Sequence, residues 1–223
     1  MPDLEIECPS KLTVLVREFK VRDADLLANP KNVRKGTATS TLLKKITKRV
    51  IDEGPYKPYP QGDDEVANRA KIMWWSNVLQ GDRMTITLKN RIYTWGEFYK
   101  DRRPCPNCRQ PTTNEFDTSE FPIQPLPDSS KDHVINNAPL SVVLPRCGVK
   151  VGFRLLRGRD DRHLEMLRKQ KKDELMSAYL YYRTTDIEGV DATKWKKWIE
   201  DLGGSDMSYL RKAHDDADCG VQQ

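Results

Sequence analysis

Cys105-Pro106-Asn107-Cys108 is the stretch whose residue types and spacing point most directly to chemistry. Two thiolates on a tight turn can share one tetrahedral zinc ion. A structural site needs two more ligands, and a zinc ribbon would place a second cysteine pair roughly fifteen to twenty residues on. No such pair stands there. Cys147 is the best third ligand, and Cys8, Cys219 and His133 compete for the fourth place. Three readings stay open: a structural zinc on Cys105, Cys108 and Cys147, the remnant of a lost site, or a redox pair. The redox reading needs a strand-to-helix setting, whereas the flanks here read as strand and loop.

Catalysis finds little material. His133, His163 and His214 are scattered, and Asp160-Asp161 and Asp215-Asp216 read as a helix cap and a tail. There is no phosphate-cradling glycine loop, nucleophile elbow or His-Glu-x-x-His. The chain is expected not to be an enzyme and to have no small-molecule substrate. Arg102, Arg103 and Arg109 surround the cysteine pair and keep a zinc-ribbon, nucleic-acid-binding regulator as an alternative. A net charge of +5 is too mild to imply nucleic acid by itself. No signal peptide and no long apolar run are evident, so no membrane partner is expected. The five cysteines read as reduced thiols or metal ligands in a cytosolic assembly environment.

Binding residues are easier to nominate. Lys44, Lys45 and Lys48 belong to a run of seven Lys or Arg residues without an acid between Lys31 and Arg49. That run is a solvated face or a contact for an acidic protein. Residues 54–62, with Tyr56 and Tyr59 among three prolines, are an extended linker or an arm laid on a neighbour. Trp195 and Trp198 complete the candidate interface set, although large aromatics at helical spacing are more often core.

These residues need elements to position them. Residues 4–8 and 12–19 read as a hairpin turned at Pro9-Ser10-Lys11. Asp23 caps a short helix, and residues 30–36 form a loop. A helix from Thr37 or Thr39 carries Leu42, Leu43, Ile46 and Val50 on one face. Asp63 or Asp64 starts another that reaches Gln80, with one of Trp74 and Trp75 in the core and one nearer the surface. Gly81 ends it in a left-handed conformation, and Asp82 caps a helix through Thr85, Leu88, Ile92 and Trp95. Phe98 and Tyr99 start a strand that leads to the cysteines, and residues 112–116 and 123–126 are short strands. Residues 127–139 read as a polar loop. Residues 141–144 and 149–156 form a second hairpin turned at Pro145-Arg146-Cys147-Gly148. Asp160 caps a long helix through Tyr182, Asp191 caps one with Trp195 and Trp198, and Ser205 caps the last.

The expected fold is α+β, a small mixed β module (two hairpins plus the two-cysteine knuckle) flanked by N-terminal and C-terminal helices. It divides as residues 1–95, 96–157 and 158–223. Residues 12–23 also echo residues 149–160: Val14, Arg17, Arg22 and Asp23 fall on Val151, Arg154, Arg159 and Asp160. Each copy is a strand running into a helix with an early aspartate, and both strands could pair in one sheet.

The order of short motifs carries a resemblance. Leu12-Thr13-Val14-Leu15-Val16-Arg17, Asp25-Leu26-Leu27-Ala28 and Leu79-Gln80-Gly81-Asp82-Arg83 come first. Tyr93-Thr94-Trp95-Gly96-Glu97-Phe98-Tyr99, the cysteine pair and residues 144–156 follow, and Asp218-Cys219-Gly220-Val221 stands last. Together they resemble the baseplate-hub, or base plate protein, family of contractile-tailed, T-even-like bacteriophages. The resemblance implies a structural component of the tail baseplate or hub, within a symmetric assembly, whose partners are other tail proteins. It places the chain in the virion, and in the host cytoplasm during assembly. An assembly chaperone absent from the mature particle is the alternative.

Overall fold

The computed structural model describes residues 2–105, 107–170 and 175–221. It is an α+β protein whose sheets are small and antiparallel. Strands β1 (Leu4–Glu7) and β2 (Thr13–Val16) form the first hairpin. Helices α1 (Val21–Ala28), α2 (Pro30–Lys35) and α3 (Ala38–Ile46) follow, and β3 (Thr47–Asp52) returns to pair with β2. Helices α4 (Glu65–Asn77) and α5 (Gln80–Trp95) complete this first unit. An excursion then runs through β4 (Phe98–Pro104), β5 (Pro111–Asp117), β6 (Ile123–Gln124) and α6 (Asp128–Asn136). The second hairpin, β7 (Leu140–Val143) and β8 (Lys150–Phe153), leads into α7 (Asp161–Gln170), α8 (Leu175–Arg183) and β9 (Thr184–Ile187). Helices α9 (Trp195–Glu200) and α10 (Gly204–Ala217) follow, and β10 (Gly220–Val221) closes on β6.

The echo between the hairpins is a duplication of the whole unit. Residues 12–28 and 38–50 take the places of residues 149–165 and 175–187, although α1 and α2 break at Asn29 where α7 continues through Met166. Val14 pairs with Ile6 and Val50, as Val151 pairs with Val142 and Ile187. Both third strands slip register at a matching place, between Leu15 and Val16 and between Gly152 and Phe153, and β3 slips once more between Thr13 and Val14. Helix α3 and helix α8 end at corresponding residues, Ile46 and Arg183. Lys11 and Gly148 hold one left-handed turn position, at φ 75° and 69°. Arg17 clamps Asp23 with two bonds of 2.6 and 2.8 Å, and Arg154 clamps Asp160 with two of 3.0 and 3.1 Å. In each unit the third residue of the last helix receives the hairpin turn. Asp82 accepts from the Ser10 backbone at 3.1 Å, and Asp206 from the Arg146 and Cys147 backbones at 2.9 and 3.1 Å.

Several expectations need correction. The two hairpins lie in separate three-stranded sheets and form no common β module. The second hairpin pairs with β9 beyond residue 157, so it belongs with the C-terminal helices. Thr47 and Val50 leave the helix for β3, because β2 has a second edge to satisfy and β-branched residues suit a strand. The same demand makes Thr184, Thr185 and Ile187 a strand. Residues 30–35 are helical, with Asn29 accepting from the Lys31 backbone, Pro30 at the first position and Gly36 left-handed at the end. Residues 128–136 are helical too, ended by left-handed Asn137. The interhelix break falls at Val78-Leu79, not at Gly81, and Asp82 lies inside the first turn of α5. Gly81 serves a close approach: a Cβ there would sit 1.9 Å from the Cys219 carbonyl oxygen. The last helix starts at Gly204, one residue before the expected cap Ser205. Trp74 and Trp75 are both buried. The expected long helix includes residues 171–174, which lie outside the described residues; α7 and α8 stand on either side.

Each unit has its own core. Leu12, Val14, Val16, Leu43, Ile46, Trp75 and Ile86 fill the first. Leu144, Val151, Leu180, Ile187, Ile199 and Leu210 fill the second. Between them Leu79, Leu126, Val134, Phe153, Leu155 and Ala217 form a third cluster.

Candidate functional site

The cysteine pair sits at the tip of a two-stranded arm, β4 paired with β5 from Phe98–Asp117 to Pro104–Pro111. The tip is closed by Arg109 N–H donating to the Cys105 carbonyl at 2.8 Å and Cys105 N–H donating to the Gln110 carbonyl at 2.8 Å. Arg109 takes the left-handed conformation there, at φ 60°. Backbone N–H groups of Cys108 and Asn107 hydrogen-bond to the Cys105 sulfur and hold its pKa below the usual thiol range. Such a turn stabilises thiolate, the form that binds metal. Cys105 and Cys108 therefore fit half of a tetrahedral zinc site.

The other half is not assembled by this chain's described residues. No group of three or more His, Cys, Asp and Glu side chains among them is placed to hold a metal ion. Cys147 is exposed on the turn of the second hairpin, where Asp206 holds its backbone N–H. Cys8 is buried and Cys219 largely so, and burial, with Asp82 nearby, pushes both thiols up, which favours the protonated form. His133 bonds the Ala138 carbonyl through Nδ1 at 2.6 Å, and burial lowers its pKa.

The nominated interface residues separate in space. Lys44 and Lys45 lie on α3 and Lys48 on β3, so they do not form one helical face. Tyr56 and Tyr59 turn to their own chain. The Tyr56 hydroxyl donates to Asp82 at 2.5 Å and accepts from the Leu79 backbone at 3.2 Å. Tyr59 stacks edge-on to Trp74. Trp195 and Trp198 are half-buried against the second core, and the Trp195 indole donates to the Val190 carbonyl at 2.9 Å.

Ser10, Tyr56 and Asp82 form a compact polar group in the first unit. The Ser10 hydroxyl reaches Asp82 at 2.5 Å, beside the Tyr56 bond. Burial raises the Asp82 pKa against the opposing hydrogen bonds of Ser10 and Tyr56. The group joins the hairpin turn, the 54–62 segment and α5.

A larger feature escaped the sequence reading. A groove of about 1150 Å³ runs between α1–α3, α5 and α7. Phe19, Leu42, Ile46, Met84, Leu88 and Trp95 give it apolar walls. Arg83 and Asp161 are paired across it at 2.7 Å, and Arg91, Arg162 and Arg168 line its edge. Trp95 at the end of α5, Phe116 on β5 and Phe121 also line the groove and are exposed, and Phe98 and Tyr99 on β4 are exposed as well. Trp95 and Phe98 are 58% and 60% exposed, unusual for side chains of this size. The signal was present as aromatics crowded into residues 95–99 and 116–121, which strand and helix patterns absorbed.

No family model, curated protein or solved structure matches the chain. No described helix is long and apolar enough to cross a membrane.

Proposed function

We propose that this chain is a structural, protein-binding component of a larger assembly. The observation that carries the reading is the apolar groove with its exposed aromatic margin. Contiguous apolar surface rimmed by polar side chains marks protein interaction sites. Aromatic and arginine residues are also the commonest binding anchors. Arg91, Arg162 and Arg168 at the edge favour a partner segment with apolar and acidic side chains.

The ordered motifs that resemble the contractile-tail base plate family support one assembly in this proposal: a phage tail baseplate or hub, with other tail proteins as partners. In that setting the two-cysteine arm binds zinc only where a neighbouring chain supplies the missing ligands. Trp95→Asp and Phe98→Asp test the reading, since both side chains are exposed and their loss leaves the cores intact. The expected result is a folded protein that no longer enters tails when it complements a deletion. Normal entry by the double variant would overturn the assigned surface. The second reading, nucleic-acid binding by an arm carrying Arg102, Arg103 and Arg109, requires DNA affinity that falls steeply with salt.

A further inference from the structure

The two units pack against each other through a heterologous contact, which leaves one unmatched face at each end of the molecule. At the built junction, the link between α4 and α5 of the first unit meets the chain after β8 of the second. Leu79 and Arg157 form an antiparallel bridge. Gln80 N–H donates to the Leu156 carbonyl at 3.0 Å, and Gly158 N–H donates to the Val78 carbonyl at 3.0 Å. Gln80 and Gly158 are each the first residue of a helix or helical turn. Such N–H groups have no acceptor within their own helix, so each unit here caps the other.

The duplication carries these positions onto two other segments. Leu156 and Gly158 correspond to Phe19 and Val21, by the register that matches Asp160 to Asp23. Val78 and Gln80 correspond to Leu202 and Gly204, by the match of Asp82 to Asp206. Val21 and Gly204 again begin helices, α1 and α10. Val21 is 87% exposed and Gly204 is exposed, and neither N–H has a backbone acceptor elsewhere in the chain among the described residues. A two-fold relation between the units would have brought these segments together. They stay apart, so the contact is head-to-tail, and head-to-tail contacts continue into rings or filaments.

The side chains at the free ends differ from the built junction in a consistent way. At the junction Arg83 lies over Gly158, where a Cβ would come within 2.2 Å of its Nη1, and pairs with Asp161. The corresponding positions hold Met207 for Arg83, Val21 for Gly158 and Ala24 for Asp161. A charged contact has become an apolar one on both sides at once.

We propose that a second copy of this chain docks its 202–204 edge on the 19–21 edge of the first, repeating between molecules the backbone contact made between the units. The inference rests on the duplication and not on the tail-component reading; its failure would leave the aromatic groove as the binding surface.

Sedimentation and light scattering on the full chain test it, with one variant for each edge. Gly204→Pro and Val21→Pro each remove one N–H at a first helical position, where proline is tolerated. The preceding residues already have suitable backbones, Gly203 at φ −61°, ψ 143° and Lys20 at φ −121°, ψ 156°. The wild type is expected to form species larger than a dimer as concentration rises, and each variant to remain a monomer with wild-type circular dichroism. Mixing the two variants is expected to give one-to-one dimers, because each keeps the edge the other lacks. A wild type that stays monomeric, a variant that still associates, or a mixture that stays monomeric would overturn the proposal. Should Gly204→Pro fail to fold, Gly204→Glu blocks the same edge, since a Cβ at Gly204 meets nothing within 4 Å.

Discussion

Asp23 and Asp160 show how one residue choice is used twice. Each carboxylate is buried, accepts two bonds from the arginine that directly follows the preceding strand, and accepts a backbone N–H, of Lys20 at 2.8 Å and of Arg157 at 2.8 Å. Burial alone would raise both pKa values, but the arginine hydrogen bonds hold them below the ordinary value. Their stabilisation is therefore present above the ordinary carboxylate pKa of 3.8 and lost as pH falls below it. Removing one partner of a buried pair strands the other charge, at a cost of about 3–5 kcal/mol. Asp23→Ala and Asp160→Ala should each lower unfolding free energy by about that amount in urea titrations. A loss below about 1 kcal/mol at either site would contradict the clamp's importance.

His214 has the same sign by a different route. It occupies the position of Asn90, whose side chain donates to the Arg17 carbonyl at 2.7 Å. In the second unit Arg183 Nε donates to the corresponding Arg154 carbonyl, at 3.2 Å, and neither His214 ring nitrogen has a partner among the described residues. Burial, with Arg183 nearby, lowers its pKa from 6.5 to about 3. Below pH 6.5 the unfolded chain takes up a proton that the folded chain refuses until about pH 3, so stability declines across that window. His214→Asn should flatten the decline between pH 6.5 and pH 4.5, measured by thermal melts; an unchanged slope would contradict the assignment.

At the scale of elements, long periodic segments and turn residues were legible, whereas the strands that complete each sheet were not. Leu42, Leu43, Ile46 and Val50 keep helical spacing across the α3–β3 boundary, because their spacing suits a helix even though Val50 sits in a strand. Only the open edge of β2, a tertiary demand, ends the helix at Ile46. The capped helix at 30–35 showed all its signals, Asn29, Pro30 and Gly36, yet had too few apolar residues to register as periodic. The echo was visible through Arg17, Asp23, Arg154 and Asp160, but its extent rests on strand register, which sequence identity does not reveal.

The β4–β5 arm is tied down at its base, where Arg91 donates to the Gly96 and Phe98 carbonyls at 2.9 and 3.0 Å. Thr118 N–H also donates to the Glu97 carbonyl there, at 2.9 Å. Replacing residues 99–116 by a short glycine-serine linker should shift Tm by less than about 4 °C, the effect of roughly 1 kcal/mol in a chain of this size. A zinc chelator should likewise leave the melt of the isolated chain unchanged. A larger fall in either experiment would make the cysteine tip part of the folding core.

Across the whole molecule, two units with separate cores meet at backbone hydrogen bonds and one mixed cluster, while the aromatic groove opens beside their junction. The sequence reading reached a binding role through the resemblance and through Lys44, Lys45, Lys48, Tyr56, Tyr59, Trp195 and Trp198. The structure exposes a further set, Trp95, Phe98, Tyr99, Phe116 and Phe121, because exposure depends on packing that composition cannot specify. The two tyrosines and two tryptophans have contacts within their own chain.

The most direct test of the proposed tail-component role is quantitative mass spectrometry of purified contractile tails from cells that produce this chain, with the same cells measured in parallel. The account predicts this chain in a fixed whole-number ratio to the other tail proteins. Its absence from tails, at normal abundance in the same cells, would contradict a structural role and favour an assembly chaperone.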